Sequence, residues 1–599
     1  MIIPLVKILM PEEPRQITGQ VTDSVSPSAQ TGGAASHLRS SFLIATMMFI
    51  SRVLGLLRDM ATAAIIGGSA SPAADAFFLA FRFPNLGRRL IEEGALGLSW
   101  IPAISAAWQS DRRRAWRLLS AFLARGVKYA LIVVLLGILL TSTLLAALRL
   151  RDPERFAFAI HTLETLRLIL PYFFFALLTA QCAATLQAAD RFGVAAAVPI
   201  IFNVFWIAAL WLIAPGRYSI GPFFGLIPDR LSPYDRTAVL SCAIVLAAAT
   251  QYFVQHLYLG RLRRDDLPIL PADSGEKQRI GEVVTSVFRR MFPTALGLLF
   301  IQINTLLATL VIAWSVHLPH LARSIDNAGA IAAIYFAERL YEFPLGLVGV
   351  AVGTAFYPLL VQRAGQKRYD TLASDLRTAL RTVLALSIPA AAGLCLLSTP
   401  LTELLFKRGG FTEGDASVTA LLVRLFALGV PLFCIQPILI RTFYALGDHR
   451  RPIRAGWLST GFFLALAAFF VAIGRPASSY MIAAVLAAAA IQTYLLGRWL
   501  RTCGTLPKDL FRALGASLLK VLAAAAVMSA ALLAVCYGFD ALGASVPLGR
   551  QARVAVMIAA VIVVTIPIYF GALYVVGERE IFRVFAEKRR KKQKSHPGD

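Results

Sequence analysis

The chain has 599 residues, 57% of them hydrophobic, a mean hydropathy of +0.67 and a formal net charge of +25. Apolar runs long enough to cross a hydrocarbon core of about 30 Å recur along nearly all of it, which excludes a soluble globular fold and predicts a polytopic α-helical membrane protein. A β-barrel is excluded too, because its strands would alternate apolar and polar residues over about 10 positions, whereas these runs are far longer.

In chain order, residues 1–40 read as a mobile cytoplasmic leader: MIIPLVKILM is too short to span, and a Ser, Thr, Gly and Gln-rich stretch follows it instead of a cleavage site. From Ser41 onward the hydropathy predicts about 14 spans, at 41–66, 74–108, 122–148, 160–189, 194–214, 237–260 and 284–316, then 328–361, 371–399, 417–446, 454–473, 477–500, 512–538 and 552–577. The tail, 578–599, is strongly basic and reads as a solvated run facing lipid headgroups. Loops dense in Arg and Lys alternate with poorer ones. One side carries Arg112, Arg113, Arg114 and Arg117, then Arg261, Arg263 and Arg264, then Arg363, Lys367 and Arg368, then Arg450, Arg451 and Arg454. The positive-inside rule makes that side cytoplasmic, and an even number of spans then puts both termini there. Topology and anionic headgroups thus account for the basic excess, so nucleic acid is not an expected partner.

Punctuation repeats between the halves. Phe83–Pro84 and Phe343–Pro344 lie 343 − 83 = 260 residues apart, and Asp190 and Asp448, each in a basic turn, lie 448 − 190 = 258 apart. Two nearly equal offsets predict duplicated bundles of six spans, 41–262 and 280–502, related by an axis along the membrane normal, with the hairpin 512–577 left over. Pro84 and Pro344 break helix hydrogen bonds in both copies and are candidate hinges.

The charges within the first two spans are the anomaly: Arg52, Arg58, Asp59, Asp75, Arg82, Arg88, Arg89, Glu92 and Glu93. Each would cost about 2.5–3.5 kcal/mol if it faced lipid, so they are expected to face something wet. On an ideal helix Arg52 and Asp59 share a face while Arg58 points toward a neighbouring element. Arg88 with Glu92 and Arg89 with Glu93 are spaced for pairing along a helix, yet the arginines outnumber the acids. No lysine occurs between Lys7 and Lys128. Ion pairs that merely lock spans together would not need Arg over Lys. A guanidinium stays charged when desolvated and forks onto phosphate, which points to a phosphate or diphosphate substrate.

Other polar groups carry less. Asn203, Gln302 and Asn304 fall within spans and are expected to hydrogen-bond between helices. Cys182, Cys242, Cys395, Cys434, Cys503 and Cys536 are scattered singly in apolar surroundings and read as buried thiols, and no metal site or cofactor is expected. A membrane glycosyltransferase or phosphatase would need a catalytic extracytoplasmic loop, and the longest candidate, Ala214 to Arg236, holds only Asp229 and Asp235 as acids. No catalytic residue is assigned.

The blocks SRVLGLLRD, ADAFFLAFRFPNLGRRLIEEGALG, FAERLYEFPLGLVGVAVGT and FYALGDHRRP closely resemble the MurJ (MviN) family of lipid II flippases, in the MOP exporter superfamily, from about Ser41 to Gly577. The resemblance implies two pseudo-symmetric six-helix lobes around a central cavity plus two C-terminal helices forming a groove for the lipid tail. It implies that lipid II, an undecaprenyl-diphosphate-linked muropeptide, is moved from the cytoplasmic to the periplasmic leaflet of the inner membrane, with membrane lipids and cell-wall synthesis proteins as partners. The family's cavity arginines match Arg52, Arg58, Arg88 with Arg89 beside it, and Arg339; its acidic positions match Asp59, Asp75, Glu93 and Glu338. Another MOP-type exporter, of polyprenyl-diphosphate-linked oligosaccharide or of drugs, is the alternative, although a cationic drug calls for an acidic cavity. Val283–Ile325 and His449–Lys508 contain no Asp or Glu, so spans 7, 11 and 12 lack an acidic cation site. Coupling is therefore expected to the membrane potential, or to a monovalent cation held elsewhere.

Overall fold

The computed structural model describes residues 30–67, 72–89, 96, 99–214, 231–265, 273–315, 329–502, 510–542 and 549–578. Among the described residues every regular element is helical. Among the described residues eleven helices are long and apolar enough to cross a membrane, and a twelfth candidate is a broken pair, Ser274–Leu298 with Phe300–Ser315.

The N-terminal unit comprises 14–299 together with Arg408–Phe411. Its helices are α1 (Gln30–Ile66), α2 (Pro72–Arg89), α3 (Ile101–Ser110), α4 (Arg112–Arg151), α5 (Ala157–Ala188), α6 (Phe192–Ile213), α7 (Pro233–Asp265) and α8 (Ser274–Leu298). Helix α1 thus begins ahead of the expected boundary at Ser41. Within the second expected span, α2 and α3 are described, and most of the chain between Arg89 and Ile101 lies outside the described residues. Within this unit α1 packs on α6, α2 and α4 on α5, and α7 on both α5 and α6. Arg408–Phe411 joins it through Gly410 N–H, which donates to Ala64 O at 2.9 Å. Gly409 takes φ +56°, and a Cβ there would overlap the Ala64 carbonyl, so the turn needs glycine.

The second unit holds α9 (Phe300–Ser315), α10 (Ala330–Pro344), a π-helical turn (Leu345–Val350), α11 (Ala351–Gly365), α12 (Tyr369–Leu396) and α13 (Ser398–Phe406). It continues with α14 (Glu413–Ala445), α15 (Arg450–Ala472), α16 (Ser478–Thr502), α17 (Leu510–Leu542) and α18 (Arg550–Val575). Its packing repeats the first unit's order: α9 on α15, α10 and α12 on α14, and α16 on both α14 and α15. Both units also stitch the first and fifth spans of their bundles with a buried asparagine. Asn203 of α6 donates to Ser51 O of α1 at 3.0 Å, and Asn304 of α9 bonds Ser459 Oγ (3.3 Å) and Thr460 Oγ1 (2.7 Å) of α15. The hairpin α17–α18 packs on α12 and α13, with the Tyr569 hydroxyl donating to Ala385 O at 2.6 Å.

Helix α4 shows how sequence places an element relative to the membrane. Tyr129 to Leu150 present an almost continuous exposed apolar surface, including Leu131, Leu136, Leu139 and Leu140. That stretch is about 33 Å at 1.5 Å per residue, close to a hydrocarbon core. The preceding residues from Arg112 onward therefore extend about 25 Å beyond the apolar band. Helix α8 runs parallel to this overhang in constant register: Arg117 pairs with Glu276, Arg125 Nη1 donates to Thr285 Oγ1 at 2.6 Å, and Tyr129 meets Phe288 edge-on at 5.3 Å. The stripe Ile280, Val284, Val287 and Met291 buries α8 against a cluster that includes Leu118, Leu119 and Phe122, at the i, i+4, i+7, i+11 spacing of an amphipathic helix.

Candidate charged site

Arg58 sits at the centre of the N-terminal arrangement. Its Nε and Nη2 donate to Asp59 Oδ1 at 3.0 and 2.8 Å, and its Nη1 donates to Asn203 Oδ1 at 3.0 Å. The guanidinium also lies 5.0 Å from the ring centroid of Trp206, whose indole N–H donates to Thr62 Oγ1 at 3.0 Å. The helical-wheel expectation that Arg58 turns to a neighbouring element is met: the neighbour is α6. Asp59 is only 4% exposed, and its carboxylate bonds Arg58.

Trp206 links this group to α2. Phe77 and Phe81 stand edge-on to its ring at 6.0 and 5.4 Å, so the aromatic face of α2 is fixed against α6 and Tyr172 of α5. Asp75, 6% exposed, occupies the first turn of α2, where the helix dipole favours a carboxylate. Arg88 and Arg89 occupy the last turn, where the dipole favours cations; both are half-buried, and Arg88 donates to Asn85 Oδ1 at 3.2 and 3.3 Å. Pro84 is buried inside this helix without ending it. Arg52 differs from Arg58: it lies on an exposed face of α1. Glu92 and Glu93, and the pairing expected for them with Arg88 and Arg89, lie outside the described residues.

Arg339 and Glu338 belong to the second unit. Glu338 is 8% exposed; Arg339 bonds Glu342 at 3.0 Å and lies 4.7 Å from the Tyr335 ring centroid. Just beyond, Pro344 leads into the π-helical turn, which approaches α14 so closely that a Cβ on Gly349 would stand 3.0 Å from the Cys434 Cα. π-Helical turns inside longer helices frequently mark functional positions.

Three contributors carry little signal in the sequence. Trp206 reads as an apolar span residue, yet it supports both α1 and α2. Glu342, three residues after Arg339, is legible only as helix spacing. Arg441 is buried within α14, and the only hint is a basic residue inside an apolar run. Among the described residues no group of three or more His, Cys, Asp or Glu is placed to hold a metal ion.

The lipid II flippase MurJ family model matches residues 62–547. A probable lipid II flippase MurJ of Haemophilus influenzae is 29% identical over 506 residues, covering 81% of this chain and 90% of that protein. The solved structure of a lipid II flippase MurJ in an inward closed conformation superposes with a TM-score of 0.63 at 20% identity, over 90% of this chain and 100% of that one. An inward-facing multidrug resistance MATE family transporter of the MOP superfamily gives a TM-score of 0.53 at 12% identity, over 77% and 98% of the two chains. At those identities the two structures show a shared fold.

Proposed function

This chain belongs to the lipid II flippase MurJ family, and from that premise we propose that it carries lipid-linked peptidoglycan precursor from the cytoplasmic to the periplasmic leaflet by alternating access. It is a multi-pass protein of the bacterial inner membrane, and it performs no covalent chemistry on its cargo. The observation that carries this reading is the match along 62–547, which runs through both repeated bundles and includes the blocks bearing Arg88 and Arg339.

The arginines divide into two roles. Arg52, Arg88, Arg89 and Arg339 hold the diphosphate, for which forked guanidinium donors are suited. Arg58, with Asp59 behind it, fixes α1 on α6 and contributes positive potential from an anchored position. Asp75, Glu93 and Glu338 balance the charge around the cargo. Pro84 and Pro344 act as hinges, and α17–α18 offers a groove for the lipid tail. The basic loops and both termini face the cytoplasm. The neutral Asn304–Ser459–Thr460 cluster supports drive by membrane potential, at roughly 2.3 kcal/mol per charge per 100 mV.

The test is complementation. In cells depleted of their own flippase, Arg52→Ala and Arg88→Ala are expected to insert normally and to fail to export precursor. Growth supported by both variants would overturn the role given to these arginines.

A further inference from the structure

The overhang of α4 and the helix α8 beside it form a stalk that the charged site does not use. On the cytoplasmic orientation proposed above, it stands about 25 Å beyond the apolar band. Its apolar stripe is consumed internally, so what it presents outward is charge. Arg114, Lys128, Lys277, Arg279 and Arg289 are all exposed, against Glu282 of α8 and the capping acids Asp111 of α4 and Asp273 of α8. On α4, Arg114 and Lys128 fall within about 60° of Arg117, the residue that joins α8; on α8, Lys277 and Arg279 flank the buried stripe about 160° apart and Arg289 lies opposite it, so the basic charge wraps the outward side of the stalk. Arg114 to Lys128 spans about 21 Å and Lys277 to Arg289 about 18 Å along the axes.

Those lengths decide between occupants. The polar layer of a bilayer adds only about 5–8 Å on each side of the hydrocarbon, so phospholipid headgroups reach Lys128 and Arg289 but not Arg114, Lys277 or Arg279. A ligand that uses the whole stalk must be rooted in the membrane and carry anionic groups about 20 Å out from it. A diphosphate followed by sugar and a short peptide, at up to about 3.5 Å per residue, has that reach. We propose that this stalk is a landing surface for the headgroup of the lipid-linked precursor, with phosphates near Lys128 and Arg289 and stem-peptide carboxylates near Arg114, Lys277 and Arg279. The proposal rests on the flippase reading. The stalk raises the local concentration of anionic headgroups beside the N-terminal unit, and like other charge-lined surfaces it acts on the association rate more than on residence.

The experiment uses the full chain in nanodiscs of uncharged phospholipid, which removes competing anionic headgroups. The probes are lipid II, lipid II with its stem-peptide carboxylates amidated, and undecaprenyl diphosphate. The variant is the triple Arg114→Gln, Lys277→Gln, Arg279→Gln, which leaves Arg117–Glu276 and Arg125–Thr285 intact and removes only exposed charges; its thermal melting is expected to match the parent's. Lipid II association with the parent should slow about tenfold between low and high salt. The triple variant should associate several-fold more slowly at low salt with an unchanged dissociation rate, and amidated lipid II should meet the parent as slowly as lipid II meets the variant. Undecaprenyl diphosphate should not distinguish parent from variant. Equal association rates for parent and variant with lipid II overturn the landing surface while leaving the flippase reading in place. Failure of every probe to bind the parent overturns both.

Discussion

Arg52 and Arg58 lie on the same helix, six residues apart, and the same residue type does different work at the two positions. Arg58 is enclosed by Asp59, Asn203 and the Trp206 face. Removing one member of a buried ion pair leaves the other charge uncompensated, a loss of about 3–5 kcal/mol. Arg52 is exposed. We therefore expect Arg58→Ala to lower the melting temperature of the detergent-solubilised protein markedly and Arg52→Ala, at an exposed position, to lower it less, although both lose export. Equal melting shifts would contradict the division of roles. Asn203→Leu tests the same joint from α6. It strands Arg58 Nη1 and frees the Ser51 carbonyl, so destabilisation of about 1–3 kcal/mol is expected in thermal or denaturant unfolding.

At the scale of elements, the hydropathy finds spans but not their breaks. The seventh and eighth expected spans are each divided: α8 from α9 at Leu299, and α10 from α11 by the π-helical turn. Pro84 illustrates why. A proline removes one hydrogen bond, but whether the helix then ends, bends or continues depends on what packs beside it. Close helix approach is equally silent in a one-dimensional profile. Gly456 of α15 faces the Phe300 ring of α9, and a Cβ there would overlap ring atoms that are themselves fully buried. Gly456→Ala is expected to cost about 1–3 kcal/mol by overpacking, visible as a lower melting temperature. Phe300→Leu in the same background should recover part of the loss.

At the scale of the whole molecule, the energy source is the open variable on which composition bears directly. Three spans of the second bundle carry no carboxylate, and buried Asn304 bonds Ser459 and Thr460 across two of them. In proteoliposomes, transport is expected to follow an imposed membrane potential and to persist without a sodium gradient. Transport that ignores the potential while a sodium gradient alone suffices would contradict this. The duplication is also a property of the whole chain. It is visible at Phe83–Pro84 and Phe343–Pro344, and again in packing order, while its extent is blurred because each copy has its own loop lengths. Gln255 and Gln492, both fully buried, open the matching runs QHLYLGR and QTYLLGR at an offset of 492 − 255 = 237, not 260.

Composition and periodicity alone determined the helical membrane class, the alternation of basic loops and the anomalous arginines, because these follow from the cost of placing each residue type in hydrocarbon. The family blocks added lipid II as cargo. Only the tertiary structure decided which neighbours hold the charges: Arg58 is bound to Asp59 and Asn203, and Arg339 to Glu342. It alone stood α8 in register beside the overhang of α4. Those outcomes depend on contacts between residues far apart in the chain, Asn203 with Arg58 or Arg117 with Glu276. The strength of such a contact is set by distance, burial and geometry, none of which is a property of either residue alone.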